Sequence, residues 1–333
     1  MKIFTLSTFT LTVSILAAGP LACVGAASND ALFARVDEKL SLPTIDLSEE
    51  IDRHVIVAHG TAEEYQGHPT TLLLPDGKTI YCVWKIGHGG SCGPMKRSDD
   101  GGLAWSPLLN TPTNWADTFN CPSLYRLKDP SGRFRLFVFA GRQHDRVMHE
   151  SYSEDNGRSW TPMASNGLDC VMPFCTITSI DNGRRLLGMT NIRRPGEKLE
   201  NRSNVLVKSS SSDGGLTCSD WEIVQDIPGL KLCEPEIVRS PDGKQLLCLI
   251  RENARKAGGL FMTSDDEGTS WARMQPLPPG LHGDRHKAMY SHDGRLAAVF
   301  RDTGKQSPTR NHFVTWIGRY EDILAGRDGE YRL

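Results

Sequence analysis

One pattern, Ser-x-Asp-x-Gly-x-x-Trp, recurs at intervals that only a repeating architecture explains. It stands at Ser98-Asp100-Gly102-Trp105, at Ser153-Asp155-Gly157-Trp160 and at Ser264-Asp266-Gly268-Trp271. A fourth copy, Ser211-Asp213-Gly215, has Cys218 in the Trp position. Successive Ser positions are 55, 58 and 53 residues apart. A second repeat is interleaved with the first: an apolar run, an Asp/Gly turn and another apolar run. Its turn glycines are Gly77, Gly132, Gly183, Gly243 and Gly294, 51 to 60 residues apart. Periods of this size are the mark of an array built from one supersecondary unit.

The unit can be read from its residues. Thr70-Thr71-Leu72-Leu73-Leu74 and Ile80-Tyr81-Cys82-Val83-Trp84 are short β-rich runs joined through Pro75-Asp76-Gly77, a hairpin signal. In the box, Asp and Ser accept backbone hydrogen bonds, Gly takes a positive φ, and Trp packs the turn onto its sheet. Each period is therefore expected to be a four-stranded sheet, and a ring of such sheets is a β-propeller. The boxes are assigned to folding rather than chemistry. The predicted fold class is all-β, with residues 28–333 forming one propeller domain. The 32 Gly and 19 Pro suit a turn-rich β protein.

Thirty-eight basic against 40 acidic residues leave a formal charge of −2, which argues against a nucleic-acid partner. Met1-Lys2, an apolar stretch from Ile3 to Ala18 and small residues at Val24-Gly25-Ala26-Ala27 read as a signal peptide over residues 1–27, cut after Ala26 or Ala27. Leu21-Ala22-Cys23 offers a rival lipoprotein site, with Pro20 where an aliphatic residue is wanted. Either way the protein is expected outside the cytoplasm, secreted or periplasmic. No later apolar run is long enough to span a membrane. Eight cysteines remain beyond Cys23, an even count that permits disulfides in an exported protein. Several sit in apolar strand-like runs, where a free Cys behaves as a small hydrophobe. No CxxC or Cys/His spacing suggests zinc, so no metal or cofactor is expected, and the protein is expected to act as a monomer.

Four boxes in register with five hairpins, over roughly residues 65 to 320, resemble the Asp-box (BNR-repeat) sialidase superfamily. The resemblance implies six blades, with the active site where the inner strands meet at one end of the central channel. Extending the period past Gly294 puts a sixth hairpin beyond Leu333. Residues 28–66 could supply part of a closing blade, the ring could have five blades, or the last blade could be incomplete. The stretch Gly318-Arg319-Tyr320-Glu321-Asp322-Ile323-Leu324 carries no hairpin signal, so an incomplete last blade is the expectation.

Candidate site residues fall at repeat-equivalent positions. Counted from the turn glycines, the second strands end at Lys85, Arg142, Arg193, Arg251 and Arg301, five cations that would ring the channel mouth. Guanidinium groups so placed would trap a carboxylate, sulfate or phosphate. First strands open with Glu234-Pro235-Glu236, Asp284-Arg285-His286 and His68-Pro69, polar breaks of the kind that cluster at functional sites. The resemblance implies roles for some of these. Glu234 matches a carboxylate that assists a Tyr nucleophile, Arg251 matches the second of three clamping arginines, and the third is Arg301 or Arg285. The family's first arginine, its acid/base Asp and its Tyr have no match here. His68 and His88 are the available groups for proton transfer. Glu236, two residues after Glu234 and so expected on the same strand face, is the rival carboxylate.

The expected function is an exo-acting glycoside hydrolase on anionic sugars, most simply an exo-α-sialidase. Its catalytic candidates are Glu234, His68 and His88, and its substrate-binding candidates are Arg251, Arg285, Arg301, Arg142, Lys85, His286 and Glu236. The alternatives are a lyase or hydrolase of uronic or sulfated polysaccharide working through His68, His88 or His286, and a non-catalytic propeller that binds carbohydrate.

Overall fold

The structure is a computed structural model that describes residues 29–141, 146–197 and 204–333. The signal segment, Cys23 and Arg142 lie outside the described residues. No described helix is long and apolar enough to cross a membrane.

Among the described residues, nineteen strands form five antiparallel sheets. Blade 1 has β1 (Gln66–Leu73), β2 (Ile80–Ile86) and β3 (Cys92–Ser98), and blade 2 has β4 (Phe119–Lys128), β5 (Phe134–Gly141), β6 (Val147–Ser153) and β7 (Ala164–Asp169). Blade 3 has β8 (Thr176–Ile180), β9 (Arg185–Arg193), β10 (Asn204–Ser211) and β11 (Glu222–Gln225). Blade 4 has β12 (Leu232–Arg239), β13 (Leu246–Glu252), β14 (Leu260–Ser264) and β15 (Gln275–Pro276). Blade 5 has β16 (Gly283–Tyr290), β17 (Leu296–Asp302), β18 (Phe313–Gly318) and β19 (Tyr331–Arg332). The first strands pack on one another around the axis, β1 on β4 and β12 on β8 and β16.

The fold is thus all-β with five blades among the described residues, where a six-bladed plan with its last blade incomplete was expected. After Trp316 the chain makes a short helix, α1 (Tyr320–Leu324), and then returns as β19 to finish the fifth sheet. Residues 43–45 lie along the outer edge of β19. Arg332 N donates to Pro43 O (2.8 Å) and Ile45 N donates to Arg332 O (2.9 Å). The N-terminal segment therefore borders blade 5, one of the three arrangements open from sequence. Arg332 is fully buried and paired with the fully buried Asp302 at 2.8 Å, which anchors this last strand.

The boxes are turns of one design. Ser153 Oγ donates to Asp155 Oδ1 (2.8 Å) and accepts from Gly157 N (2.7 Å), and the other three boxes repeat both bonds at 2.8–2.9 Å. The box glycines also join blades. A Cβ on Gly157 would lie 2.5 Å from the Tyr81 ring of blade 1, one on Gly215 2.8 Å from Leu127 of blade 2, and one on Gly268 2.4 Å from Leu187 of blade 3. Trp105, Trp160 and Trp271, expected to be buried, are half-buried. Trp160 and Trp271 cover the edges of hydrophobic clusters instead of filling them. All eight described cysteines are free thiols, and six of them are buried.

Candidate active site

The channel mouth is built by a bulge that recurs in four first strands. Strand pairing slips between Gly67 and Thr70 in β1, Phe119 and Ser123 in β4, Cys233 and Glu236 in β12, and Asp284 and Lys287 in β16. At each slip one non-glycine residue has left-handed backbone: His68 (φ 51°), Asn120 (φ 71°), Glu234 (φ 49°) and Arg285 (φ 56°). Such a conformation costs energy and re-aims the side chain, which is why bulges and strained residues gather at functional sites. Below the bulges, Thr70, Ser123, Thr176, Glu236 and Lys287 occupy matching register positions down the axis.

The register corrects the expected ring of five cations. Opposite the residue that precedes the bulge stand Lys85 in blade 1, Arg251 in blade 4 and Arg301 in blade 5, but Gly141 in blade 2. In blade 3, Thr176 pairs with Met189, so the equivalent position is Asn191 and Arg193 lies two residues beyond it. The mouth position lies nine residues after the turn glycine in blade 2 and eight in blade 3, so Arg142 and Arg193, each ten residues on, overshoot it. Lys85 is itself buried, its pKa lowered by desolvation, and its Nζ donates to His88 O (2.7 Å). It supports the His88 loop from beneath.

In blades 4 and 5 the arginines converge on the protein's own carboxylates. Asp284, 2% exposed, receives a bidentate pair from Arg255 (2.6 and 2.7 Å) and a bond from Arg301 Nη2 (2.5 Å). Arg251 Nε lies 2.8 Å from it as an ion pair without hydrogen-bond geometry. Burial opposes the Asp284 charge, yet the Arg255 hydrogen bonds and the Arg251 guanidinium outweigh it and hold its carboxyl below the usual range. Arg251 Nη1 also donates to Glu234 Oε2 (2.8 Å), and Arg285 Nε lies 3.7 Å from Glu234 Oε1. Four guanidinium groups against two carboxylates leave these six residues with an excess charge of +2. Arg301, Arg255 and Arg285 are its more exposed members, with side chains 54%, 43% and 33% exposed. Among the described residues no tyrosine hydroxyl contacts Glu234.

Glu236 was expected to share a face with Glu234, but the bulge gives the two carboxylates different partners. Glu236 takes Lys287 Nζ at 2.6 Å, and burial, opposed by Lys287, pushes its carboxyl up. These residues line an axial cavity of about 190 Å³ with Thr70, Ser123, Tyr125 and Cys175. His286 is buried, its Nε2 2.8 Å from Leu281 O and its ring against Phe300. Its partners are interior groups, and desolvation lowers its pKa to about 4.

Blade 1 supplies the other half of the mouth. The His68 and His88 rings are tilted with centroids 5.0 Å apart, His88 exposed and His68 half-buried. His68 Nδ1 is buried with no hydrogen-bond partner among the described residues. Desolvation, then the charges of Arg285 and Lys85, lower its pKa to about 3, so it is a neutral imidazole at ordinary pH. Three residues went unremarked in the sequence. Asn120 occupies the blade 2 bulge. Asn191 is 1% exposed, accepts from Glu234 N (3.3 Å) and leaves its own Nδ2 unpartnered. Tyr65 is 58% exposed with its ring against Gly67, the residue before His68. A uniform count of eight residues from the turn glycine would have found Asn191; nothing local marks the others. No group of three or more His, Cys, Asp or Glu among the described residues is arranged to hold a metal ion.

The model of the BNR repeat-like domain matches residues 117–317, which run from blade 2 into β18 of blade 5. The chain belongs to the BNR repeat-like domain family. No curated protein matches it in sequence. Among solved structures, a BNR-family chain of this shape is similar to a protein of unknown function from Dyadobacter fermentans (14% identity, 84% of this chain and 85% of that one, TM-score 0.62). It is also similar to the NanB sialidase of Streptococcus pneumoniae (13%, 83% and 64%, TM-score 0.51) and to an α-L-arabinofuranosidase from Lactobacillus brevis (13%, 80% and 93%, TM-score 0.51). At these identities the likeness establishes a propeller fold common to glycoside hydrolases of different specificity.

Proposed function

We propose that this propeller is a carbohydrate-active enzyme that takes an acidic sugar at the channel mouth, with His68 and His88 moving protons. The observation that carries the reading is His68: neutral, with a buried unpartnered Nδ1, its ring 5.0 Å from His88, in the field of Arg285, Lys85 and Arg301. A uronate carboxylate placed on Arg285 and Arg301 has its charge neutralised, which acidifies the adjacent C5–H. His68 takes that proton, the electron pair becomes a C4=C5 double bond, the C4–O bond breaks, and His88 delivers a proton to the departing oxygen. The low basicity of His68 in the free protein comes from desolvation and neighbouring cations. A bound carboxylate offsets those cations and raises the His68 pKa toward the working range. Tyr65 offers a face for the sugar ring.

A second reading is hydrolysis of a sialic-acid-type glycoside. What favours it is Glu234, paired with Arg251 at the start of an inner strand, where the sialidase resemblance calls for a carboxylate. Incubation with polyuronides and with sialyl-lactose separates the two. The elimination reading expects an ultraviolet-absorbing unsaturated product from a polyuronide and no free sialic acid. Release of sialic acid alone would overturn it in favour of Glu234, and glycan binding without turnover of either substrate would leave a binding module.

A further inference from the structure

Arg255 has a second side. Its guanidinium grips Asp284 and so belongs to the mouth cluster, yet it also lines a separate cavity of about 110 Å³ together with Lys305, Arg310, Asn311, Gly258 and His282. None of the residues lining this cavity is acidic. Arg310 is exposed and makes no side-chain hydrogen bond or ion pair among the described residues. Lys305 holds one surface partner, Asp37, at 2.9 Å, with that carboxylate 70% exposed. His282 is buried and uncharged, its pKa lowered by desolvation, so it adds no charge of its own. Gly258 lies against its ring, where a Cβ would come within 2.5 Å, and the absent side chain keeps the cavity open. Arg255 is in left-handed backbone (φ 62°), which sends its side chain to the wall shared by the two sites. Thr303, two residues after Arg301, lines the cavity from blade 5.

We infer that this cavity is a second anion subsite, which takes the carboxylate or sulfate of a neighbouring residue when a polyanionic glycan lies at the channel mouth. The inference rests on the reading of the mouth as an acidic-sugar site and adds to it. The preferred ligand is an oligomer with charge on successive residues, not a single terminal acid sugar. Three cations without a lining carboxylate are suited to charge-assisted contacts with such a group, and their exposure makes the contribution salt-sensitive.

The test is calorimetric binding to the full protein of size-defined oligogalacturonides, from two to six residues, with chondroitin sulfate oligosaccharides of the same lengths as the sulfated arm. Wild-type affinity is expected to rise roughly tenfold between two and four residues, the size of one added charge-assisted contact. Lys305→Ala/Arg310→Ala should abolish that rise while keeping the affinity for the shortest oligomer, and Arg310→Glu should do so in a single change. Arg285→Ala should weaken every length alike. The arm that shows the length gain identifies carboxylate or sulfate as the group held. If the gain survives in both Arg310 variants, the subsite is overturned and the mouth reading stands. If the wild type binds neither series at any length, both are overturned.

Discussion

The box glycines and the mouth bulges are two sets of repeat-equivalent left-handed positions in the molecule, and they are filled in opposite ways. The four boxes put glycine there every time, at φ 80–99°, with the same two Ser hydrogen bonds around it. The four bulges hold His68, Asn120, Glu234 and Arg285, four different side chains on one backbone shape. Glycine would relieve the strain at each bulge, of order 1 kcal/mol or more, yet none has it. Where geometry and residue both repeat, the product is a blade. Where geometry repeats and the residue changes, four distinct chemical groups are aimed at one place.

The comparison breaks most visibly at His68. His68→Ala keeps a non-glycine residue in the left-handed backbone and removes the proposed base. We expect turnover of an acidic glycan to fall 10²–10⁴-fold, the usual contribution of general-base catalysis, with the circular dichroism spectrum unchanged. Steady-state kinetics on the polyuronide that gives the unsaturated product would check it, and a variant with unimpaired turnover would remove His68 from the mechanism. On the box side, Gly268→Ala drives a Cβ to 2.4 Å from Leu187 at a φ of 80°. It should cost about 2–4 kcal/mol of stability in urea denaturation, since overpacking and backbone strain add. Gly77→Ala, at φ 70° with nothing near its Cβ, bears the backbone penalty alone and should cost about 1 kcal/mol.

The same contrast explains what could be read without coordinates. A box is closed by residues two and four apart, and a hairpin by a turn of similar span, so both leave a local signature and the five sheets follow from their spacing. The mouth is assembled across blades, and its partners have no fixed separation. Asp284 gathers Arg251, Arg255 and Arg301 from 33, 29 and 17 residues away, and no pattern in the chain announces that these guanidinium groups meet a protein carboxylate. Glu234, Arg285 and His68 were identifiable because polar residues opening an apolar strand are conspicuous, and His88 because it is a titratable group in the loop that follows the second strand of blade 1. Arg193 was mistaken for a mouth residue, and Asn191 missed, because the count was carried on to the next cation instead of stopping at the eighth residue, where blades 1 and 4 reach the mouth.

Acid should strain the mouth half before the box half. His286, fully interior, has its pKa lowered by desolvation to about 4, and His68 has its lowered to about 3. In both cases the unfolded chain binds a proton that the folded one refuses. Stability is therefore complete above about pH 6.5 and declines as pH falls toward 4, by up to roughly 3 kcal/mol from His286. Urea midpoints measured from pH 7.5 to 4.5 should fall steadily, and His286→Gln should flatten the slope whatever it does to stability at pH 7.5. The box carboxylates act in the same direction but at lower pH: hydrogen bonds from Ser159 and Ser270 lower the Asp155 and Asp266 pKa values to about 2. Their contribution is present above the unfolded carboxylate range and is lost only below it. A slope unchanged by His286→Gln would place the acid sensitivity elsewhere.

The smallest effect asks whether the box is a turn or a tryptophan socket. The third box lacks its Trp, with a half-buried Cys218 in that position, yet Ser211 Oγ keeps its bonds to Asp213 and Gly215 at 2.8 and 2.9 Å. Trp221, three residues on, packs beside Phe174 and donates to Asp169 O (2.6 Å), so blade 3 covers its cluster from a different position. If the hydrogen-bonded turn is the unit, Ser211→Ala and Ser153→Ala should cost the same, about 1–2 kcal/mol each, because each strands a buried glycine N–H. If Trp160 shares in holding its turn, Ser153→Ala should be the milder change, its ring keeping the glycine in place. Matched urea curves for the two variants decide it. A Ser211→Ala cost near zero would break the equivalence of the four boxes, since the third would then be held by the Phe174–Trp221 contact and not by its own turn.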